Sequence, residues 1–467
     1  MANRITRRAL MKLGAVAAGG LLAGCAPKVV EVTKLVEKVV EQTVIQEKVV
    51  KETVVVNPAA IQGDLIWDTF RGTETQGKWN EERIRTFKEK FPNVKVTFRP
   101  IVAGQQEAYG KMYAMFAAGD LGDCVSFDPG LYQFRRAIAN KVIMPLDDLM
   151  AADKLDLNEW FPIFIEMQKY EGKIWGLPSW GWAGFDCFVV NTLDFEKAGI
   201  TLPKPDEGGP SMDTIGEWAR KLYKKGEHYG LEMYYMDHVL EVMTRSFGGD
   251  VLNKEGTKCL LYDNEKSKQG MKWMYDLAVT DQVVAQGEDL KPEGQGALVA
   301  GKLSMYTCGS LCTTNAALAV TDKSLCNVSQ FLYPKQADGR FTNALRCGSW
   351  NVRTGSKYPE AAYQFTKHIA GREGSIGFNL FGGNGGLTRP DIFDALEGAN
   401  PMYAWFKAPL ANGMVINEPA NSRGTEYTDV LAQYATKLMD KLNPIPFEQG
   451  LKELNDAIQK VLDLPMQ

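Results

Sequence analysis

Histidine is scarce in this chain. Its three copies, His228, His238 and His368, lie far apart and none stands in an H-E-x-x-H arrangement, which argues against a zinc centre built on paired helical histidines. No G-x-x-x-x-G-K-[ST] occurs, since Gly301-Lys302 is followed by Leu303, so a phosphate cradle of that type is missing. No G-x-S-x-G elbow is present for a serine hydrolase either. The apolar stretch that starts at Leu13 is interrupted by Gly14, Gly19 and Gly20 and falls well short of the roughly 20 residues a helix needs to cross a bilayer. Positive charge is not in excess: 57 acids face 53 bases, a formal charge of −4. An acidic chain is a poor partner for nucleic acid, and none is expected.

What stands at the N-terminus is an address. Thr6-Arg7-Arg8-Ala9-Leu10-Met11-Lys12 carries a twin arginine, an apolar core follows, and Leu22-Ala23-Gly24-Cys25 resembles the lipobox of bacterial lipoproteins. Residues 1–24 then form a signal peptide cleaved before Cys25, whose thiol and new amine take acyl chains. Several chains anchor stably where one binds only marginally. The expected location is outside the cell, lipid-anchored to the outer face of the cytoplasmic membrane. Removal of residues 1–24 takes away Arg4, Arg7, Arg8 and Lys12 and no acid, moving the formal charge from −4 to −8.

Residues 25–60 read as a stalk. Val39-Val40, Val44-Ile45, Val49-Val50 and Val54-Val55 recur every five residues, a period of neither heptad nor strand. A coiled-coil stem continuing Val29, Val32, Val36 and Val39 fails at Thr43 and Gln46, and Asn57-Pro58 closes the segment.

Eight cysteines less Cys25 leave Cys124, Cys187, Cys259, Cys308, Cys312, Cys326 and Cys347, an odd set with at least one thiol unpaired. Twin-arginine export moves folded chains out of a reducing cytoplasm, so buried free cysteines are expected, with room for one later disulfide. Cys308-x-x-x-Cys312 has no second nearby pair, and packing is the better reading than metal.

The roughly 400 residues from Ile61 onward exceed the ~250–300 that one core serves, so two lobes are expected. Leu65 to Phe70 reads as a strand, Trp79 to Phe91 as a helix with Ile84, Phe87 and Phe91 on one face, and Val94, Val96 and Phe98 as the next strand. Strand, helix and strand at this spacing predict a βαβ unit and a parallel sheet. Helices are predicted over Pro359 to Ala370 and along Leu451, Leu454, Ile458 and Val461. Gly382-Gly383-Asn384-Gly385-Gly386 lacks a surrounding strand-to-helix fingerprint and reads as a binding loop or crossover rather than a dinucleotide site.

Four stretches carry a family resemblance: Trp79 to Phe98, Glu171 to Gly199, Ala300 to Ser310 and Cys347 to Phe378. In this order the chain resembles the extracellular solute-binding proteins that include maltose-binding protein, the ligand-capturing lipoproteins of ABC importers. The resemblance implies an α/β, two-lobed periplasmic-binding-protein-like fold with a hinge, no enzymatic activity, no cofactor, and ABC transporter permease subunits as partners. It implies chain crossovers near Ser179 to Gly184, Tyr333 to Gln336 and Gly382 to Gly386. The N-terminal lobe would be residues 61–180 plus 336–383, and the C-terminal lobe 181–335 plus 384–467.

Trp180 and Trp182 follow Gly176-Leu177-Pro178 where members of that family line the cleft, and an indole offers a flat apolar face and an N–H to a sugar. Trp350, after Gly348-Ser349, is the third candidate wall. Arg71 and Thr73 follow the first strand and Asp128 follows another; Asp and Arg present paired polar atoms to neighbouring hydroxyls, although an Asp before Pro129 is also a turn former. Ser310, Asn384 and Arg423 complete the set. Aromatics beside polar groups favour a sugar or oligosaccharide, whereas a charged peptide would need groups for its termini. Three readings compete: a surface glycoside-processing enzyme, for which Asp147-Asp148 and Glu81-Glu82 are carboxylate pairs, a binder of a non-carbohydrate solute, and an adhesin on a stalk.

Overall fold

A computed structural model of the chain describes residues 57–466 apart from 71–73, 183–186, 205–206, 236, 376–387 and 393–403. The signal segment, Cys25 and almost all of the stalk lie outside the described residues, as do Arg71, Thr73 and Asn384. No helix among the described residues is long and apolar enough to cross a membrane.

β1 (Gly63–Thr69) and β2 (Val94–Pro100) run parallel, in register from Gly63 opposite Val94 to Thr69 opposite Pro100. The helix Glu74–Lys90 joins them, beginning five residues before the Trp79 expected from sequence. Phe87 on its inner face is fully buried and meets Phe365 edge-on at 5.1 Å. Pro92, which has no N–H to donate, follows its end.

The remaining strands are β3 (Cys124–Val125), β4 (Lys169–Tyr170), β5 (Lys173–Ile174), β6 (Leu177–Trp182), β7 (Cys187–Asn191), β8 (Tyr229–Glu232), β9 (Val284–Ala285), β10 (Leu303–Cys308), β11 (Val328–Leu332) and β12 (Arg346–Val352). β4 and β5 pair with each other. The rest form two five-stranded sheets, ordered β2-β1-β3-β12-β6 and β11-β7-β10-β8-β9. Each sheet is mixed. β12 runs antiparallel to β3 and β6, and β7 runs antiparallel to β10 and β11.

One cause explains both reversals. The chain changes sheet between β6 and β7, and again between β11 and β12. A strand that arrives from the other sheet starts at the edge where the other four strands end, so it must run against them. Arg346, the first residue of β12, accordingly pairs with Trp182, the last of β6. Cys187, the first of β7, pairs with Cys308 and Leu332, the last of β10 and β11. The parallel sheet expected from the opening βαβ unit is correct for β1, β2 and β3 only in part of its sheet, because direction is set by where the chain came from.

Each sheet has its own cores. Cys124 and Val125, adjacent in β3, point to opposite faces of the first sheet: Cys124 joins Leu65, Trp67, Phe87, Leu177, Trp350 and Phe365, and Val125 joins Tyr109, Met112, Phe127 and Phe134. The second sheet buries Phe188, Val190, Leu231 and Met305 on one face and Val189 and Tyr306 on the other. Each such aliphatic or aromatic side chain contributes roughly 1.5–3 kcal/mol. The helix Pro359–Ala370 has the bounds read from sequence, and Leu451, Leu454, Ile458 and Val461 are all buried on the helix Phe447–Leu462.

Candidate functional site

The ends of the parallel strands and the starts of β7 and β12 define one edge of each sheet, and the segments beyond those edges are where a ligand would be met. On the first sheet that edge carries Asp128, three residues past β3. Its carboxylate is fully buried: Oδ1 accepts from Ser126 Oγ at 2.8 Å and from the backbone N–H of Ser349 at 2.9 Å, and Oδ2 accepts from Trp180 Nε1 at 3.2 Å. The structure thus unites two predicted site residues, in a knot that ties β3, β12 and β6 together.

Trp180 is 7% exposed, and its indole lies so close to Gly348 that a Cβ there would fall 1.9 Å from Nε1. Glycine at 348 is a space requirement of this packing. Trp182 is the last residue of β6, opposite Arg346, which places it at the sheet edge. Ser310 begins the helix Ser310–Ala319, directly beyond the end of β10 on the second sheet.

Two expectations need correction. Trp350 is 1% exposed and stands edge-on to Trp67 at 5.5 Å inside the core of the first sheet, so it builds that core and offers no wall to a ligand. Its place on β12 explains this: a central strand with helices on both faces buries every residue. Arg423 is engaged by its own surroundings, donating through Nε to Pro465 O at 2.8 Å and through Nη1 to Glu426 at 2.6 Å. These bonds fasten the C-terminal segment to the start of the helix Gly424–Leu438.

The sequence reading missed a buried charged cluster where the chain passes between sheets. Every residue of the helix Asp237–Arg245 is buried. Asp237 Oδ2 accepts from the hydroxyl of Tyr132 at 2.6 Å and from Arg346 Nη2, while Oδ1 lies 2.7 Å from His238 Nδ1. Burial opposes the Asp237 charge, yet Arg346, His238 and Tyr132 together hold its pKa well below the usual carboxylate range. Burial likewise lowers the pKa of His238.

One turn along, Glu241 is fully buried, and neither carboxyl oxygen has a hydrogen-bond partner. Its nearest cation, Arg245 at 3.9 Å, is committed to Asp250 at 3.0 Å and to the carbonyls of Asn343 and Val415 at 2.9 and 3.0 Å. Burial therefore raises the Glu241 pKa well above its ordinary value, favouring the neutral acid. Glu418, with Arg135 at 3.5 Å, is pushed up by burial to about 7. A sequence signal did exist: Asp237, Glu241 and Arg245 sit four apart amid Val239, Leu240, Val242 and Met243, a charged stripe on a helix otherwise largely apolar.

His228 Nε2 lies 2.7 Å from Ser304 Oγ and its Nδ1 lies 3.1 Å from Gly301 O, a spacing that suits a nucleophile and base. Ser304, however, is fully buried, and its hydroxyl donates to Asp194 at 3.1 Å. It stands at the start of β10, away from the ligand-facing edge. No group of three or more His, Cys, Asp or Glu side chains among the described residues could hold a metal ion. A depression of about 540 Å³ bordered by Thr192, Phe195, Glu196, Ile200 and Val328 lies at that same far end, where β7 stops and β11 begins. Cys308 and Cys312 form a disulfide across the turn from β10 into the next helix, and Cys124, Cys187, Cys259, Cys326 and Cys347 are buried outside that bridge.

Residues 82–378 match the family model of bacterial extracellular solute-binding proteins. No curated protein matches the chain by sequence. Among solved structures, an ABC substrate-binding protein from Listeria monocytogenes in complex with cycloalternan is 17% identical, with 86% of this chain and 99% of that chain covered and a TM-score of 0.68. The GacH receptor of Streptomyces glaucescens, solved without ligand and with acarbose, is 18% identical over 87% of this chain and 100% of that chain, with a TM-score of 0.66. UgpB from Mycobacterium tuberculosis, in complex with glycerophosphocholine, is 14% identical over 86% and 99%, with a TM-score of 0.68. At such identities the likeness concerns the fold, that of two-lobed ABC-importer binding proteins. With well over half of its length matched by the family model, the protein belongs to the bacterial extracellular solute-binding proteins.

Proposed function

We propose that the protein captures a sugar or short oligosaccharide between its lobes and delivers it unchanged to the permease of an ABC importer, held at the outer face of the cytoplasmic membrane by acyl chains on Cys25. The observation that carries this reading is the placement of Trp182 at the last residue of β6, on the edge where the chain leaves the first sheet. An indole there suits the C–H face of a pyranose. Arg71, Thr73, Ser310 and Asn384 are the polar groups we assign to the same groove. Relatives of the same fold that hold cycloalternan or acarbose support a carbohydrate.

A disaccharide of about 23 heavy atoms at roughly 0.3 kcal/mol per atom gives about −7 kcal/mol, a Kd on the order of 10 μM. That strength suits capture followed by release. The mycobacterial relative with glycerophosphocholine favours a second reading, a small polyol phosphodiester as ligand.

The test is a thermal-shift panel of maltose, maltotetraose, acarbose and glycerophosphocholine on the mature protein, followed by chromatography of the recovered ligand. At 100-fold excess over Kd a true ligand adds about 2.7 kcal/mol, read as a Tm rise of a few degrees. A response to glycerophosphocholine alone moves the assignment to the phosphodiester, and recovery of cleaved sugar identifies a glycoside-processing enzyme instead.

A further inference from the structure

Tyr132 and Asp237 come from different lobes. Tyr132 lies four residues past Asp128, and the helix that follows it, Phe134–Ala139, packs in a core of the first sheet. Asp237 opens a helix packed in a core of the second sheet, five residues past β8. Arg346 is the first residue of β12, where the chain re-enters the first sheet.

The three meet at one point. The Tyr132 hydroxyl and the Arg346 guanidinium both donate to Oδ2 of Asp237, and the guanidinium carbon sits 5.6 Å from the centre of the Tyr132 ring. Asp237 and Arg346 are 5% exposed each, so separating them would leave two buried charges without partners. Tyr132 holds a left-handed backbone, φ 60°, that a non-glycine residue adopts only when its surroundings demand it. Those surroundings are visible: its ring is edge-on to Tyr427 at 6.0 Å, and Gly424 leaves it room that a Cβ would fill at 1.9 Å. The first lobe thus inserts an anchored aromatic into the second, beside the connection through which the lobes must rotate.

We propose that Tyr132, Asp237 and Arg346 are positioning residues that brace the lobe junction and set how far the lobes of the empty protein stand apart. The Asp237 oxygens are all taken by protein donors, so this carboxylate acts through lobe geometry and not by contact with the ligand. A brace of this kind populates the binding-competent arrangement before the ligand arrives, and the apparent affinity scales with that population. The inference rests on the two-lobed binding reading above but is independent of which solute is bound.

The experiment measures the empty, mature protein. Spin labels at Lys111→Cys on the first lobe and Lys225→Cys on the second, both exposed positions, report the lobe-to-lobe distance distribution. Tyr132→Phe removes one hydroxyl and keeps the ring; Asp237→Asn keeps the shape and removes the charge. We expect a longer mean distance and a broader distribution in both variants, larger in Asp237→Asn, with cooperative thermal unfolding retained in Tyr132→Phe. Distributions that coincide with the parent in a cooperatively folding Tyr132→Phe overturn the brace. A ligand panel that fails while the distances shift would sink the sugar assignment and leave the brace standing.

Discussion

The indole N–H of Trp180 donates to the carboxylate of Asp128 across 3.2 Å, joining β6 to the segment beyond β3 through two residues that are separated by 52 positions in the chain. Both were candidate ligand contacts, and both are inside. The carboxylate serves three donors from three neighbouring segments, so it fixes the shape of the groove edge rather than its chemistry.

Asp128→Ala should therefore act on stability. It strands the Ser349 N–H, the Trp180 indole N–H and the Ser126 hydroxyl, and an unsatisfied buried donor costs roughly 1–3 kcal/mol. Urea unfolding should show a loss of about 2–5 kcal/mol with an unchanged m-value. A variant within 0.5 kcal/mol of the parent, on the order of a surface change, would mean that the knot carries no weight.

Trp350→Ala and Trp182→Ala should separate cleanly. Truncating the buried Trp350 ring, edge-on to Trp67, should destabilise the protein by about 3–5 kcal/mol while leaving calorimetric affinity of the folded protein nearly unchanged. Trp182→Ala should weaken the best sugar by one to three powers of ten, corresponding to roughly 1.5–4 kcal/mol of burial and stacking. The reverse pattern would place the pocket against Trp350.

Glu241 makes a pH prediction. Its folded pKa is raised above the unfolded value, so the stability it supports is complete below about pH 4.5 and declines as pH rises toward the folded pKa. Glu241→Gln copies the neutral acid and removes that decline. The stability difference between the variant and the parent should grow in the variant's favour as pH rises above about 4.5, with a slope of at most about 1.4 kcal/mol per pH unit, read from urea midpoints. A difference that stays flat with pH would show that Glu241 is ionised in the fold.

The Cys308–Cys312 disulfide closes a very short loop, with a sequence separation of 4, so chain entropy assigns it only about 2 kcal/mol. A dithiol reductant should lower Tm by a few degrees, and alkylation of the reduced but still folded mature protein followed by mass measurement should add two labels, because reduction releases Cys308 and Cys312 while the other described thiols stay buried. Unchanged Tm together with two labels would contradict a stabilising bridge.

Much of the architecture was legible along the chain. Ile84, Phe87 and Phe91 mark a helix face, and the alternation of Val94, Val96 and Phe98 marks β2, because helix and strand periodicities are local and survive without tertiary context. Pro359 marks the start of a helix by backbone chemistry alone, since it has no N–H to leave unsatisfied in the first turn. The site was less legible. Trp180, Trp182 and Trp350 look alike as tryptophans close to glycine, and only their neighbours in space show that Trp180 and Trp350 are buried while Trp182 stands at the end of its strand. Asp237 and Arg346 are 109 residues apart, and no local pattern announces that they meet.

The chain by itself determined the opening strand–helix–strand unit, the helices over Pro359–Ala370 and along Leu451 to Val461, the need for more than one core and the family, since each follows from residue periodicity, chain length or ordered local motifs. Only the tertiary structure decided that β7 and β12 run against their sheets, that Trp350 is a core ring, and that Tyr132, Asp237 and Arg346 meet. The physical reason is that burial and ion pairing belong to neighbours in space, and sheet crossovers make neighbours of residues that sequence keeps far apart.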